Sequence, residues 1–208
     1  DFALDPSRGA ILGMLIQTPS LGERINQGGL VGYVILVLLA IGLAIVGERL
    51  FVLKKEGEKL DAQLKSEKAN ENNPLGQLIS VFEKNKDKDL ETIEVKMDEV
   101  IIKSLPIYKR GINTVKILSA VAPLLGLLGT VTGMILTFQS ITLFGTGDPK
   151  LMAGGISQAL ITTVLGLVCA IPLLLLHNFV AAKSKRLVQI LEEQSAGLIA
   201  SRMEQGKA

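Results

Sequence analysis

Three stretches of the chain carry no charged side chain, and nearly all of the charge lies between and after them. Gly28–Gly47, Ile117–Phe144 and Leu151–Ala182 run for 20, 28 and 32 residues without Asp, Glu, Lys or Arg. A helix needs about 20 apolar residues to cross the hydrocarbon core of a bilayer. No water is available there to pair with open backbone groups, so each crossing stretch must be helical. The pattern predicts an all-α membrane protein with transmembrane helices over 28–53, 117–144 and 151–182. Residues 1–27 precede the first span, 54–116 form a long polar region, 145–150 link the second and third spans, and 183–208 form a tail.

Lysine and arginine set the expected orientation. Residues 48–116 hold 14 of the 22 basic side chains, whereas the link holds only Lys150. Membrane-proximal Arg49, Lys54, Lys55, Lys109, Arg110 and Lys116, with Lys183, Lys185 and Arg186 after the third span, place the polar region and the C-terminus in the cytoplasm. Asp1–Gln27 and the link then lie outside. The first span lacks a basic leader, and Glu48 and Arg49 follow it where a signal sequence would carry small residues for cleavage. The start at Asp1 fits either a processed chain or part of a longer polypeptide.

The polar region reads as helices. Lys54–Lys68 mixes both signs of charge and continues the first span as a solvated helix. Asn72-Asn73-Pro74 stops it and starts another, with asparagine as cap and proline at the first helical position. Leu75, Leu78, Ile79 and Phe82 share one face of that helix. Asn85–Lys88 is a polar turn. Asp89 caps a further helix in which Ile93, Met97, Val100, Ile101, Leu105 and Tyr108 keep helical spacing, with Pro106 as a kink or interruption. This periodicity runs on into the second span. The third span likewise runs on through Leu187, Ile190, Leu191, Leu198 and Ile199, so both helices are expected to project into the cytoplasm and pack together there.

Composition removes several classes of function. A net charge of +2 and the absence of Trp give no support to nucleic-acid binding. The single Cys169 excludes an internal disulfide and a cysteine-based metal site, and reads as a small buried hydrophobe. No phosphate loop, HExxH or nucleophile elbow occurs. No catalytic set, metal site or cofactor is expected.

The candidate chemistry lies in the second and third spans. Ser119, Ala122, Gly126, Gly129 and Gly133 form one stripe of small residues, and Ala159, Thr162, Thr163, Gly166 and Ala170 form another. Such stripes let helix backbones approach closely in lipid. Thr130, Thr132 and Thr137 add hydroxyls to the second span, but a hydroxyl can bond back to its own helix. Gln158 has more bonding capacity than one carbonyl can meet. It either lies near the outer interface, where water serves it, or in a polar seam between helices, on a face shared with Thr162. None of the spans has a carboxylate, lysine or arginine at its middle. The only histidine, His177, lies near the basic flank and reads as an interfacial residue. Any proton traffic through the chain would need a titrating carboxylate from a second protein.

Val121-Ala-Pro-Leu-Leu-Gly-Leu-Leu-Gly-Thr-Val-Thr-Gly133 resembles the second span of ExbB and TolQ, and Gly155-Ile-Ser-Gln-Ala-Leu-Ile-Thr-Thr-Val-Leu-Gly-Leu-Val-Cys-Ala-Ile-Pro172 resembles their third. The resemblance is to the ExbB/TolQ/MotA proton-channel family, closest to ExbB, and covers the chain from about Gly28 onward. It implies a homo-oligomeric ring, a pentamer, in the bacterial inner membrane, with the N-terminus periplasmic. Spans two and three would line the pore around single-span ExbD-like partners whose membrane aspartate titrates. The ring would use the proton motive force to energise TonB-dependent outer-membrane transport through a TonB-like protein. The resemblance assigns Thr130 and Thr163 to the pore, with Gln158 and Thr162 beside them on the ion path. Pro123 and Pro172 match the family prolines, and Gly126, Gly129, Gly133 and Gly166 belong to helix packing. Gln158 stands where many relatives carry glutamate. The segment containing Asp5-Pro-Ser-Arg-Gly9 resembles the stretch before the membrane domain of TtpC-like proteins. A TolQ-type envelope motor, a MotA-like stator (with four spans rather than three) and a structural membrane scaffold are the alternatives.

Overall fold

The computed structural model describes residues 21–66, 68–145 and 149–205. Most of the N-terminal segment, the centre of the link between spans two and three, and the last three residues therefore lie outside the described residues. All regular elements among the described residues are helices: α1 (Leu21–Gln27), α2 (Gly29–Leu64), α3 (Pro74–Lys84), α4 (Leu90–Lys109), α5 (Ile112–Phe144) and α6 (Pro149–Gln205). Three of the helical stretches are long and apolar enough to cross a membrane. The chain divides into two compact units, Asp1–Leu39 with Val121–Ala170 and Ala40–Ala120 with Ile171–Ala208.

In the second unit, α2 packs against α6 through small residues. A methyl group on Gly42 would lie 2.6 Å from Leu173 Cδ2, and one on Gly57 would lie 3.5 Å from Leu187 Cδ2. Leu53, Leu60, Leu75, Leu78, Ile93, Met97, Tyr108 and Leu191 are fully buried and form the core of this unit. The Ser184 hydroxyl donates to the Tyr108 carbonyl at 2.8 Å, which ties α6 to the end of α4. Helix α4, which precedes the second span, thus meets the part of α6 that follows the third.

Local sequence explains the helix boundaries. Helix α2 continues past the first apolar run and stops at Leu64, four residues short of the expected end. The Gln63 amide then gathers the following turn, donating to the Lys68 carbonyl at 2.9 Å and accepting from Asn70 N at 2.9 Å. Asn73 caps α3, its side chain accepting from Gly76 N at 2.7 Å, and Pro74 takes the first helical position. Asp89 caps α4 by accepting from Thr92 N at 2.9 Å. Helix α4 passes through Pro106 to Lys109.

One expectation is corrected. The periodicity of α4 does not run unbroken into the second span, because the helix ends at Lys109, with Arg110 as its cap, and restarts after Gly111. Gly111 has a φ of 73°, in the left-handed region that glycine enters without steric cost. The side chain of Arg49, only 6% exposed, lies under this turn, with its Cδ 3.7 Å from where a Gly111 methyl would be. Apolar spacing alone does not register a two-residue break.

Candidate functional site

The candidate site lies in the first unit, where α5 from Val121 onward faces α6 up to Ala170. The two small-residue stripes meet here. A methyl group on Gly126 would lie 3.0 Å from the Thr162 carbonyl oxygen and 3.2 Å from Thr163 Cα. One on Gly129 would lie 2.2 Å from Thr162 Oγ1. One on Gly133 would lie 2.8 Å from both Ala159 N and the Gly155 carbonyl, and one on Gly166 would lie 2.8 Å from the Ala122 carbonyl. The approaches at Gly126, Gly133 and Gly166 are to backbone and that at Gly129 is to a side chain, and all of them depend on a residue without Cβ.

The large side chains point the other way. Leu124, Leu127, Leu128, Val131 and Ile135 on α5 are exposed, as are Leu160, Val164 and Val168 on α6, while Ala122 and Ala159 are buried. Small residues inside and bulky apolar residues outside is the arrangement of helices solvated by lipid or by further helices rather than by water.

The threonines separate into two kinds. Thr162 is 0% exposed, and its hydroxyl is placed to donate to the Gln158 carbonyl at 3.0 Å or the Ala159 carbonyl at 2.9 Å. It is shut in by Gly129. Thr130 and Thr163 are only half-buried. Their hydroxyls turn back to the Leu127 and Ala159 carbonyls, the second at 3.3 Å, which leaves their oxygens free to accept a further bond. Thr132 and Thr137 bond back in the same manner, each at 3.0 Å.

Gln158 does not join the α5 seam. Its Nε2 lies 2.7 Å from where a methyl of Gly29 would be, at the start of α2, and Gly29 has a φ of 58°. The neighbouring Ser157 hydroxyl donates to Gln27 Oε1 at 3.2 Å. Gln158 and Thr162 are therefore linked through the Gln158 carbonyl, but their side chains serve different neighbours. Pro123 is half-buried and Pro172, in the second unit, is exposed, and both lie within continuous helices. Among the described residues, no group of His, Cys, Asp or Glu could hold a metal ion.

Residues 54–193 match the family described as the MotA/TolQ/ExbB proton channel family. The chain belongs to this family. Its members are membrane channel and transport-motor components, and this one is a multi-pass membrane protein of ExbB type. It is 31% identical over 179 residues to an ExbB homolog of biopolymer transport from Methanothermobacter thermautotrophicus, covering 77% of this chain and 63% of that protein. It is 32% identical over 192 residues to an ExbB-like biopolymer transport protein from Synechocystis, covering 83% and 76%. Over a shorter stretch of 72 residues it is 38% identical to the biopolymer transport protein ExbB of Salmonella typhimurium, covering 35% and 30%. The chain thus spans less than two thirds of the first of these relatives.

In this family member, sequence reasoning located both stripes but missed the contacts of α2. Gly28 and Gly32 stand four apart and both receive Leu165 Cδ1, at 3.2 and 3.4 Å from their would-be methyls. That spacing is itself a small-residue helix-packing signal, and it was available in the sequence. The approach of Gly155 to Thr137, with 2.3 Å between its would-be methyl and Oγ1, had no signal beyond the glycine itself.

Proposed function

We propose that this chain is the ring-forming channel subunit of an inner-membrane motor driven by the proton motive force, with TonB-dependent outer-membrane transport as its load. The reading is supported above all by the α5–α6 seam. It locks two apolar helices together through glycine while leaving Thr130 and Thr163 half-buried with oxygens able to accept a bond. The seam carries hydroxyls and amides but no carboxylate, so the titrating group comes from a single-span ExbD-like partner whose membrane aspartate sits inside the ring.

In this reading the ring is a homopentamer with α5 and α6 around the pore and α2 outside. The N-terminus is periplasmic, and the basic region from 54 to 116 and the C-terminus are cytoplasmic. Thr130 and Thr163 hold water or the partner's aspartate as it gains and loses a proton. Thr162 fixes the helix spacing behind them, and Gln158 steadies α2 at the outer end. Each proton moving down the potential releases about 2.3 kcal/mol per 100 mV, which the ring and its partner turn into relative movement passed to a TonB-like protein.

Isolation from native membranes in mild detergent, with identification of the accompanying proteins, tests this. Recovery of a small single-span protein with a membrane aspartate, together with a TonB-like protein, is the expected result. A Tol-type set or a peptidoglycan-binding partner would change the load. Recovery of the ring alone in repeated gentle preparations would turn the reading towards a scaffold.

A further inference from the structure

A cleft of about 560 Å³ lies in the second unit, between the start of α5 and the middle of α6. Its floor is apolar, with Ile112, Ala181 and Val188, and its rim carries Lys109, Lys116, Lys185 and His177 against a single acid, Glu192. Among the described residues, none of the three lysines has an ion-pair partner. Three ammonium groups around one concavity repel one another, and an anion between them relieves that repulsion.

The surroundings say what kind of anion. One helical turn towards the apolar runs, the same faces present Leu174, three residues before His177, and Ile117, four residues after Asn113, which also lines the cleft. Ile117 is 53% exposed and Leu174 is 48% exposed, and Ile171 continues the face at 58%. A basic pocket therefore opens directly onto an apolar strip where the spans end. A free phosphate would satisfy the lysines and leave the strip bare. A molecule with an anionic head and acyl chains covers both.

We propose that this cleft is a binding site for the phosphodiester headgroup of an anionic phospholipid, with Lys109, Lys116 and Lys185 around the phosphate and the acyl chains along Ile117, Leu174 and Ile171. Basic pockets between membrane helices at the basic end of the spans bind such headgroups by charge. The inference requires the chain to sit in a bilayer and does not depend on proton conduction.

The test uses the full chain, delipidated in detergent and titrated with phosphatidylglycerol, phosphatidylcholine or inorganic phosphate, with binding read by native mass spectrometry and thermal stability. Phosphatidylglycerol should remain bound and raise the melting temperature, with little effect from the other two. The triple variant Lys109→Gln, Lys116→Gln, Lys185→Gln should bind phosphatidylglycerol roughly tenfold or more weaker, whereas the triple Lys→Arg variant should keep it. Equal binding of phosphatidylcholine by the unaltered chain would overturn the proposal, as would an equal stabilisation by inorganic phosphate. These two arms need no variant to fold. Undiminished binding by a folded glutamine variant would overturn it as well.

Discussion

Gly129 on α5 and Thr162 on α6 share one position in space: the hydroxyl oxygen of the threonine lies 2.2 Å from the point a methyl group on the glycine would occupy. Neither helix can move away cheaply, because Gly126 and Gly133 hold the seam on either side. Gly129→Ala should therefore destabilise the folded chain in detergent by about 1–3 kcal/mol. Thr162→Ala in the same chain should restore part of this. A double-mutant cycle on thermal unfolding measures the coupling between the two sites. Additive effects would mean that the helices are not in contact there.

Thr163 and Gln158 lie five residues apart on α6 but face different surroundings, since Gln158 is turned to Gly29 of α2. Thr163→Val removes a hydroxyl while keeping the side-chain shape. It should lower energy coupling, read as substrate uptake in cells, by about tenfold or more, the cost of one hydrogen bond to a charged group. Gln158→Ala should reduce uptake less. Full and equal activity in both variants would remove Thr163 from the ion path.

The spans, their approximate limits and both small-residue stripes were legible in the sequence because lipid imposes a strict rule on each. A membrane helix must be apolar for about 20 residues, and its close contacts must be small. The break at Gly111 was not legible, since helical spacing continues across it and the positive φ leaves no trace beyond one glycine among 21. The two kinds of threonine were not separable either. Thr162 and Thr163 are neighbours in sequence, and which of them is enclosed depends on the register of α6 against Gly129. The lysines of the cleft were read only as orientation signals, because their convergence requires α5 and α6 to be placed side by side.

Asn73 carries the start of α3 through its bond from Gly76 N, and its Nδ2 also donates to Gln63 Oε1 at 3.2 Å. Asn73→Ala should cost about 1 kcal/mol. The loss should be confined to α3 and the preceding turn, seen as faster hydrogen exchange of amides 75–80. Unchanged exchange there would mean that Pro74 alone sets the helix start.

Glu71 accepts from the Ser80 hydroxyl at 2.6 Å and from Lys84 Nζ at 2.9 Å. The Ser80 bond, and then Lys84, hold its carboxyl below the usual carboxylate range. A carboxyl whose folded pKa is lowered contributes stability above its unfolded pKa and loses it as pH falls through the folded value. The segment 71–84 should therefore loosen below about pH 4, seen as faster proteolysis or hydrogen exchange. Glu71→Gln should remove this pH dependence while leaving the segment weaker at neutral pH.

Tyr108 is fully buried, and its hydroxyl has no hydrogen-bond partner among the described residues. Replacing an unpaired buried polar group by an apolar one of the same shape is neutral or favourable. Tyr108→Phe should leave thermal stability in detergent unchanged or raise it by up to about 1 kcal/mol. A clear loss would mean that the hydroxyl finds a partner outside this chain.

In the proposed mechanism this chain conducts protons only together with a partner's carboxylate. The most direct test reconstitutes the complex isolated from native membranes into liposomes, imposes a membrane potential, negative inside, and follows internal pH with a trapped dye. The complex should acidify the interior, more slowly when the chain carries Thr163→Val, and the chain reconstituted alone should not. Equal acidification by the chain alone and by the complex would contradict it.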